Sequence, residues 1–230
     1  MSAGKVWKMT SAAPNPWLSW RYVESNWAEI SHQLSIHTTL TLEAVAIALA
    51  IAFPLAVLAR NVRWLTRPIL GTASVLYTIP SLALFALLAP FTGIGRTTVL
   101  IGLVTYALLV LVRNILTGLE GVDPDIVDAA RGLGYSRSKM LFAVEIPNAL
   151  PSIVAGLRIA TVTTVALVTV GVVVGYGGLG QLMFRGFQSS YRAQIATSSL
   201  LCVALALVLD LAIVAGARAA MPWARRGRSA

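Results

Sequence analysis

Asp128, Ala129 and Ala130 begin a spaced pattern: Gly134 follows four residues after Ala130, and after nine more residues come Val144, Ile146 and Pro147. Apart from the one acid, these residue types carry no catalytic group. A capped polar hairpin set between apolar segments is suited to docking. Asp123 caps a helix, Pro124 takes its first position, and Asp125 and Asp128 lie where the helix dipole favours negative charge. Gly132 and Gly134 end that helix, Gly134 being suited to the left-handed conformation that follows one. Ser136 caps a second short helix, expected to run to Ile146 and to be stopped by Pro147. Ile126, Ala129, Ala130 and Leu133 give the first helix one small, mildly apolar side.

Charges inside apolar sequence are the second source of chemistry, because intramembrane charges face the protein interior and find partners. Arg158 and Asp210 fall at similar depths in two apolar segments, roughly 10–14 Å from one end at 1.5 Å per residue. That predicts a structural ion pair, with Arg113 or solvent as the alternative partner of either. Glu43 is the one acid in the outer part of an apolar segment. Either it is held by the interface or a neighbouring segment, or it lines the entrance to a path and attracts a cation. In the second reading Tyr77 adds a cation–π contact of about 0.5–2 kcal/mol. Pro80 is expected to kink its segment and to open that path beside Tyr77 and Ser81.

Other candidates carry less. "GYGGLG" at 175–180 matches a dinucleotide-binding pattern, which needs a following helix and an acid about 20 residues on. The next acid is Asp210, thirty residues past Gly180, so a flexible break at a membrane edge is expected. Cys202 stands alone, which excludes an intrachain disulfide and a cysteine-based metal site. His32 and His37 are expected at the interface, and no metal or bound cofactor is foreseen. No pair of catalytic groups converges, which argues against an enzyme.

The elements that position these residues are set by composition. The 230 residues are 57% hydrophobic and 12% charged, with mean hydropathy +0.77, about half the charge of a soluble domain. Five spanning helices are expected near 38–59, 70–90, 97–117, 150–174 and 194–216, each close to the roughly 17–25 apolar residues a bilayer requires. With the N-terminus outside, twelve Lys and Arg lie inside: Arg60, Arg63, Arg67, Arg113, Arg131, Arg137, Lys139, Arg158, Arg218, Arg225, Arg226 and Arg228. Six lie outside: Lys5, Lys8, Arg21, Arg96, Arg185 and Arg192. That bias orients membrane proteins, so the net charge of +9 reports topology rather than nucleic-acid binding. The first thirty residues lack the continuous apolar core of a signal peptide. Instead Asn15-Pro16 is read as a helix start, and Trp20, Val23, Trp27, Ile30 and Leu34 as the apolar stripe of an interfacial helix. A protein partner is the second reading of that stripe. The expectation is an all-α polytopic membrane protein: an interfacial segment over 1–36, a transmembrane domain over 37–215 with a helical loop at about 118–148, and a basic tail over 216–230.

The stretch "DAARGLGYSRSKMLFAVEIP" resembles the "EAA" loop in the membrane subunits of ATP-binding cassette importers. Asp128, Ala129, Ala130, Gly134, Val144, Ile146 and Pro147 fall on that pattern without insertion, with Asp for the usual Glu and Val for the first Ile. "YTIPSLALFALL", "ALPSIVAGLRIAT" and "GYGGLGQLMFRGF" extend the likeness over about 37–215, toward permeases of osmoprotectant importers. The resemblance implies a multi-pass permease of the bacterial plasma membrane that carries glycine betaine, choline, carnitine or proline betaine. It implies a separate ATPase that binds the ATP, a second permease copy or sister chain, and an external solute-binding protein. The chain has no G-x-x-x-x-G-K-[ST] phosphate loop of its own. An amino-acid permease of the methionine type, and a membrane scaffold or channel subunit without a pump, are the alternatives.

Overall fold

The computed structural model describes residues 15–222, and every regular element in them is helical. Lys5, Lys8, Arg225, Arg226 and Arg228, with most of the basic tail, lie outside the described residues. The order is α1 (Trp20–Ser25), α2 (Trp27–Asn61), α3 (Arg63–Thr78), α4 (Ser81–Thr92), α5 (Arg96–Glu120), α6 (Pro124–Gly132) and α7 (Arg137–Met140). A π-helical turn (Leu141–Glu145) then leads into α8 (Ile146–Val170). A 3-10 turn (Gly171–Val174), α9 (Leu179–Gln188) and α10 (Arg192–Ala220) complete the chain.

Four helical stretches are long and apolar enough to cross a membrane: α2, α5, α10, and the run Arg137–Val174 that includes α8. A fifth span exists if α3 and α4, bent by 98°, count as one. The expected second span is therefore not a kinked rod but two helices meeting nearly at a right angle. Its cause is local. The ring of Pro80 excludes Ile79 from the helical region, and Ile79 takes φ −66°, ψ 125°. Pro54, Pro68, Pro90 and Pro151 leave their helices continuous. At Pro80 the carbonyl of Ile79 instead accepts a hydrogen bond from the Tyr106 hydroxyl on α5. A broken helix is tolerated at membrane depth when a neighbour satisfies the freed backbone in this way.

The core lies where α2, α5 and α8 meet. Ala48, Ala52, Ala56 and Ala59 form a small-residue strip on α2 against Leu111, Ile115 and Leu119 of α5. α5 and α8 run antiparallel and touch where side chains vanish: a Cβ on Gly156 would lie 2.4 Å from the Cβ of Asn114, and one on Gly118 would lie 2.9 Å from the Ala149 carbonyl oxygen. Such close approach gives membrane helices their packing contacts, since lipid supplies no hydrophobic drive between them.

Several expectations change. Pro147 does not stop a helix, because the π turn just before it widens the backbone and lets the chain run on into α8. Asn15 does not open a helix either; its amide donates to the Ser190 carbonyl and accepts from the Arg192 N–H, tying the N-terminal strand of chain to the α9–α10 turn. Ser19 caps the six-residue α1 instead. α2 then starts at Trp27 and continues straight through the first span, so the boundary at 36 falls inside one helix. Ile30 packs with Tyr22, Leu179 and Leu182, whereas Trp20 and Trp27 stay exposed, so the stripe is split between two environments. Burial also pushes the Tyr22 phenol above its ordinary pKa.

His37 is fully buried rather than interfacial. Its Nε2 lies 2.9 Å from the Val165 carbonyl oxygen, and Nδ1 accepts from the Leu179 N–H at 3.3 Å. The glycine run is likewise close-packed, not a flexible break. Gly178 has φ +53°, and a Cβ there would meet the Cβ of His37 at 2.7 Å. One imidazole thus joins α2, α8 and the start of α9.

Candidate functional site

The hairpin is capped at the start of each helix and closed by hydrogen bonds at the turn between them. Asp123 accepts the Asp125 N–H at 2.9 Å, with Pro124 in the first turn. At the other end the Tyr135 N–H bonds the Ala130 carbonyl and the Gly134 N–H bonds the Arg131 carbonyl. This closing pair needs a left-handed residue, and Gly134 supplies it at φ +76°. Ser136 caps α7 through the Lys139 N–H, and Lys139 stacks over the Tyr135 ring at 3.9 Å.

Of the predicted apolar side, Ala130 turns inward and is buried, while Ile126 (43% exposed) and Leu133 (77%) stand free with Ala129. Asp128 is exposed and pairs with Arg131 at 2.7 Å. Val144, Ile146 and Pro147 are half-buried along the continuous π-turn and α8 helix. The first helix of the hairpin and its closing turn therefore present two large side chains and an acid to whatever faces them.

One tie between hairpin and bundle was not read from the sequence. Arg60, in the last turn of α2, forms an ion pair with the buried Glu145 of the π turn. Both were visible as a lone acid just before Ile146-Pro147 and an arginine ending the first span, but nothing local pairs them. A buried acid with its partner removed is strongly destabilising, by about 3–5 kcal/mol.

The expected path residues fall at two levels. Glu43 is bound by Arg96 at the start of α5, so the carboxylate has a partner within the chain. Tyr77, Pro80 and Ser81 gather at the α3–α4 break. The ring of Tyr77, 42% exposed, meets that of Tyr106 edge-on at 5.7 Å. Arg96 and Tyr106 are ten residues apart on α5, about 15 Å of helix, which separates Glu43 from the tyrosines. Tyr106 escaped the sequence reading because no motif marks it.

Arg158 and Asp210 are brought together between α8 and α10. Nε to Oδ1 is 2.7 Å and Nη2 to Oδ2 is 2.8 Å, the two parallel bonds that make an arginine–carboxylate pair directional. Arg113 touches neither.

Comparison with known proteins agrees with this architecture. The family described as "Binding-protein-dependent transport system inner membrane component" matches residues 44–226. The chain is 36% identical over 178 residues to the carnitine transport permease protein OpuCB of Listeria monocytogenes, covering 77% of this chain and 81% of that protein. It is 39% identical over 179 residues to the osmoprotectant import permease protein OsmW of Salmonella typhimurium, covering 76% and 83%. In fold it is similar to the MetNI methionine ABC transporter in inward-facing conformations, with TM-score 0.75 at 23% identity, covering 86% of this chain and 98% of that one. A helical bundle with membrane-length spans, a family match over most of its length and close permease relatives lead to one assignment: the chain belongs to the binding-protein-dependent inner-membrane transport components, the permease subunits of importers whose ATPase is a separate chain.

Proposed function

We propose that this chain forms the translocation path of an importer for quaternary-ammonium osmoprotectants such as glycine betaine, choline and carnitine. The observation that carries the coupling half is the capped hairpin with Ile126, Ala129 and Leu133 exposed on it. That face fits a groove on a separate ATPase subunit, which binds the ATP. The substrate half is supported by the carnitine and osmoprotectant permeases to which the chain is similar. The likeness to the methionine transporter is one of fold and adds no substrate argument.

The hairpin end carries most of the basic residues, which supports a cytoplasmic placement. Two permease chains, copies or sisters, enclose the path, and an external solute-binding protein delivers the ligand. Closure of two ATPases draws the hairpins together, and the Arg60–Glu145 pair passes that movement to α2. Coupling requires that ATP binding favour the outward-open arrangement over the inward-open one. The α3–α4 break lines the path with Tyr77, Pro80 and Ser81, while Glu43, held by Arg96, serves as a structural tie.

The test is reconstitution in vesicles with the partner ATPase and binding protein. ATP hydrolysis should rise when the binding protein is loaded with a betaine or choline and not with methionine. Stimulation by methionine alone would move the substrate to the amino acids. Isolation without any ATPase would support a scaffold or channel.

A further inference from the structure

Between the last turn of α2 and the hairpin lies a cleft of about 740 Å3, within the roughly 300–1,000 Å3 typical of small-molecule sites. Its lining is of two kinds. Arg60, Arg131, Arg137 and Ser138 supply hydrogen-bond donors, and Val57, Met140 and Leu141 supply an apolar wall. The acid in the lining, Glu145, is already neutralised by Arg60. Arg131 is engaged with Asp128 in a largely exposed pair, the kind worth about 0–1 kcal/mol and readily exchanged. Arg137 has no ion-pair partner among the described residues. With Arg60 and Glu145 cancelling, the cleft carries surplus positive charge from Arg131 on α6 and Arg137 on α7.

Arginine forks match phosphate oxygens in geometry as well as charge. A soluble phosphate would use the arginines and leave the apolar wall bare. An amphiphile would use both. The cleft also sits where α2 ends at Asn61 and α3 begins at Arg63, the level at which a spanning helix meets the headgroups. We propose that it binds the phosphate headgroup of an anionic phospholipid, with Arg131 and Arg137 on the phosphate and Val57, Met140 and Leu141 against the glycerol and first acyl carbons. A lipid seated there bridges the first span to the hairpin in parallel with the Arg60–Glu145 pair.

The experiment is native mass spectrometry of the intact transporter with its partner subunits, delipidated and titrated with phosphatidylglycerol or phosphatidylcholine. Phosphatidylglycerol should be retained in clear preference. Arg137→Gln and Arg131→Gln should each weaken it about fivefold, the effect of one basic residue near a charged membrane surface. Arg63→Gln, at the same end but outside the cleft, should leave it unchanged. Val57→Trp keeps every charge and fills the apolar wall, so it too should lose the lipid. Equal retention of the two lipids, an equal loss in Arg63→Gln, or full retention in Val57→Trp would each overturn the proposal. Displacement of phosphatidylglycerol by inorganic phosphate would overturn it as well, since the site would then belong to a soluble anion.

Discussion

Gly134 has φ +76° and nothing within 4 Å of the place where a Cβ would stand. Space is therefore not what requires glycine; the backbone is. A left-handed residue costs an ordinary side chain about 1–2 kcal/mol, and asparagine tolerates it best. Gly134→Asn should keep uptake near wild type, while the β-branched Gly134→Val should lose it with normal amounts of protein in the membrane. Uptake into vesicles against immunoblotted protein separates the two, and full uptake by Gly134→Val would exclude the hairpin from coupling. Glu43 calls for a different outcome. Because Arg96 holds it, Glu43→Gln should slow choline and betaine uptake equally and lower the yield of folded protein. A selective loss of choline uptake would instead return Glu43 to the path as a cation-attracting group.

At the scale of elements, ion pairs join helices that no loop connects, Arg158–Asp210 and Arg60–Glu145 among them. Asp210→Asn and Arg158→Gln should each reduce the folded protein recovered in mild detergent, and the exchanged pair should recover part of it. A double exchange no better than the singles would show that the fork between α8 and α10 contributes nothing. The Arg60–Glu145 pair joins the hairpin to α2 and has a functional readout of its own. Glu145→Gln should leave the partner ATPase turning over at its basal rate but weaken its stimulation by the loaded binding protein. Unchanged stimulation would remove that pair from the coupling route. The α3–α4 break offers a third probe: Tyr106→Phe deletes the bond to the Ile79 carbonyl, a net loss of about 0.5–1.5 kcal/mol, readable as a lowered melting temperature.

For the whole molecule, the alternation of α2, α5, α8 and α10 puts Arg96 and the hairpin at opposite ends of the bundle. Orientation is testable in a Cys202→Ala background. Ser138→Cys should react with a membrane-impermeant maleimide only after the cells are permeabilised, whereas Thr97→Cys should react in intact cells. The reverse pattern would invert the topology and place the hairpin out of reach of any cytoplasmic ATPase.

What the sequence determined by itself was local or compositional. Asp123, Pro124, Gly134 and Ser136 act within a few residues of themselves, so the hairpin with its caps and its left-handed glycine was legible. The apolar runs were equally legible, because a bilayer sets their length. Equal depth even brought Arg158 and Asp210 to notice, across 52 residues. Tertiary structure decided the rest. Pro80 breaks a helix where Pro54 and Pro68 do not, and there Tyr106 takes up the freed carbonyl. Pro147 stays within a helix because a π turn makes room for it. His37 is a buried joint because Leu179, 142 residues away, is packed onto it. Glu145 finds Arg60, and Glu43 finds Arg96, for the same reason. Caps and turns depend on neighbours along the chain, whereas these partners are chosen by the packing of whole helices, which no single segment encodes.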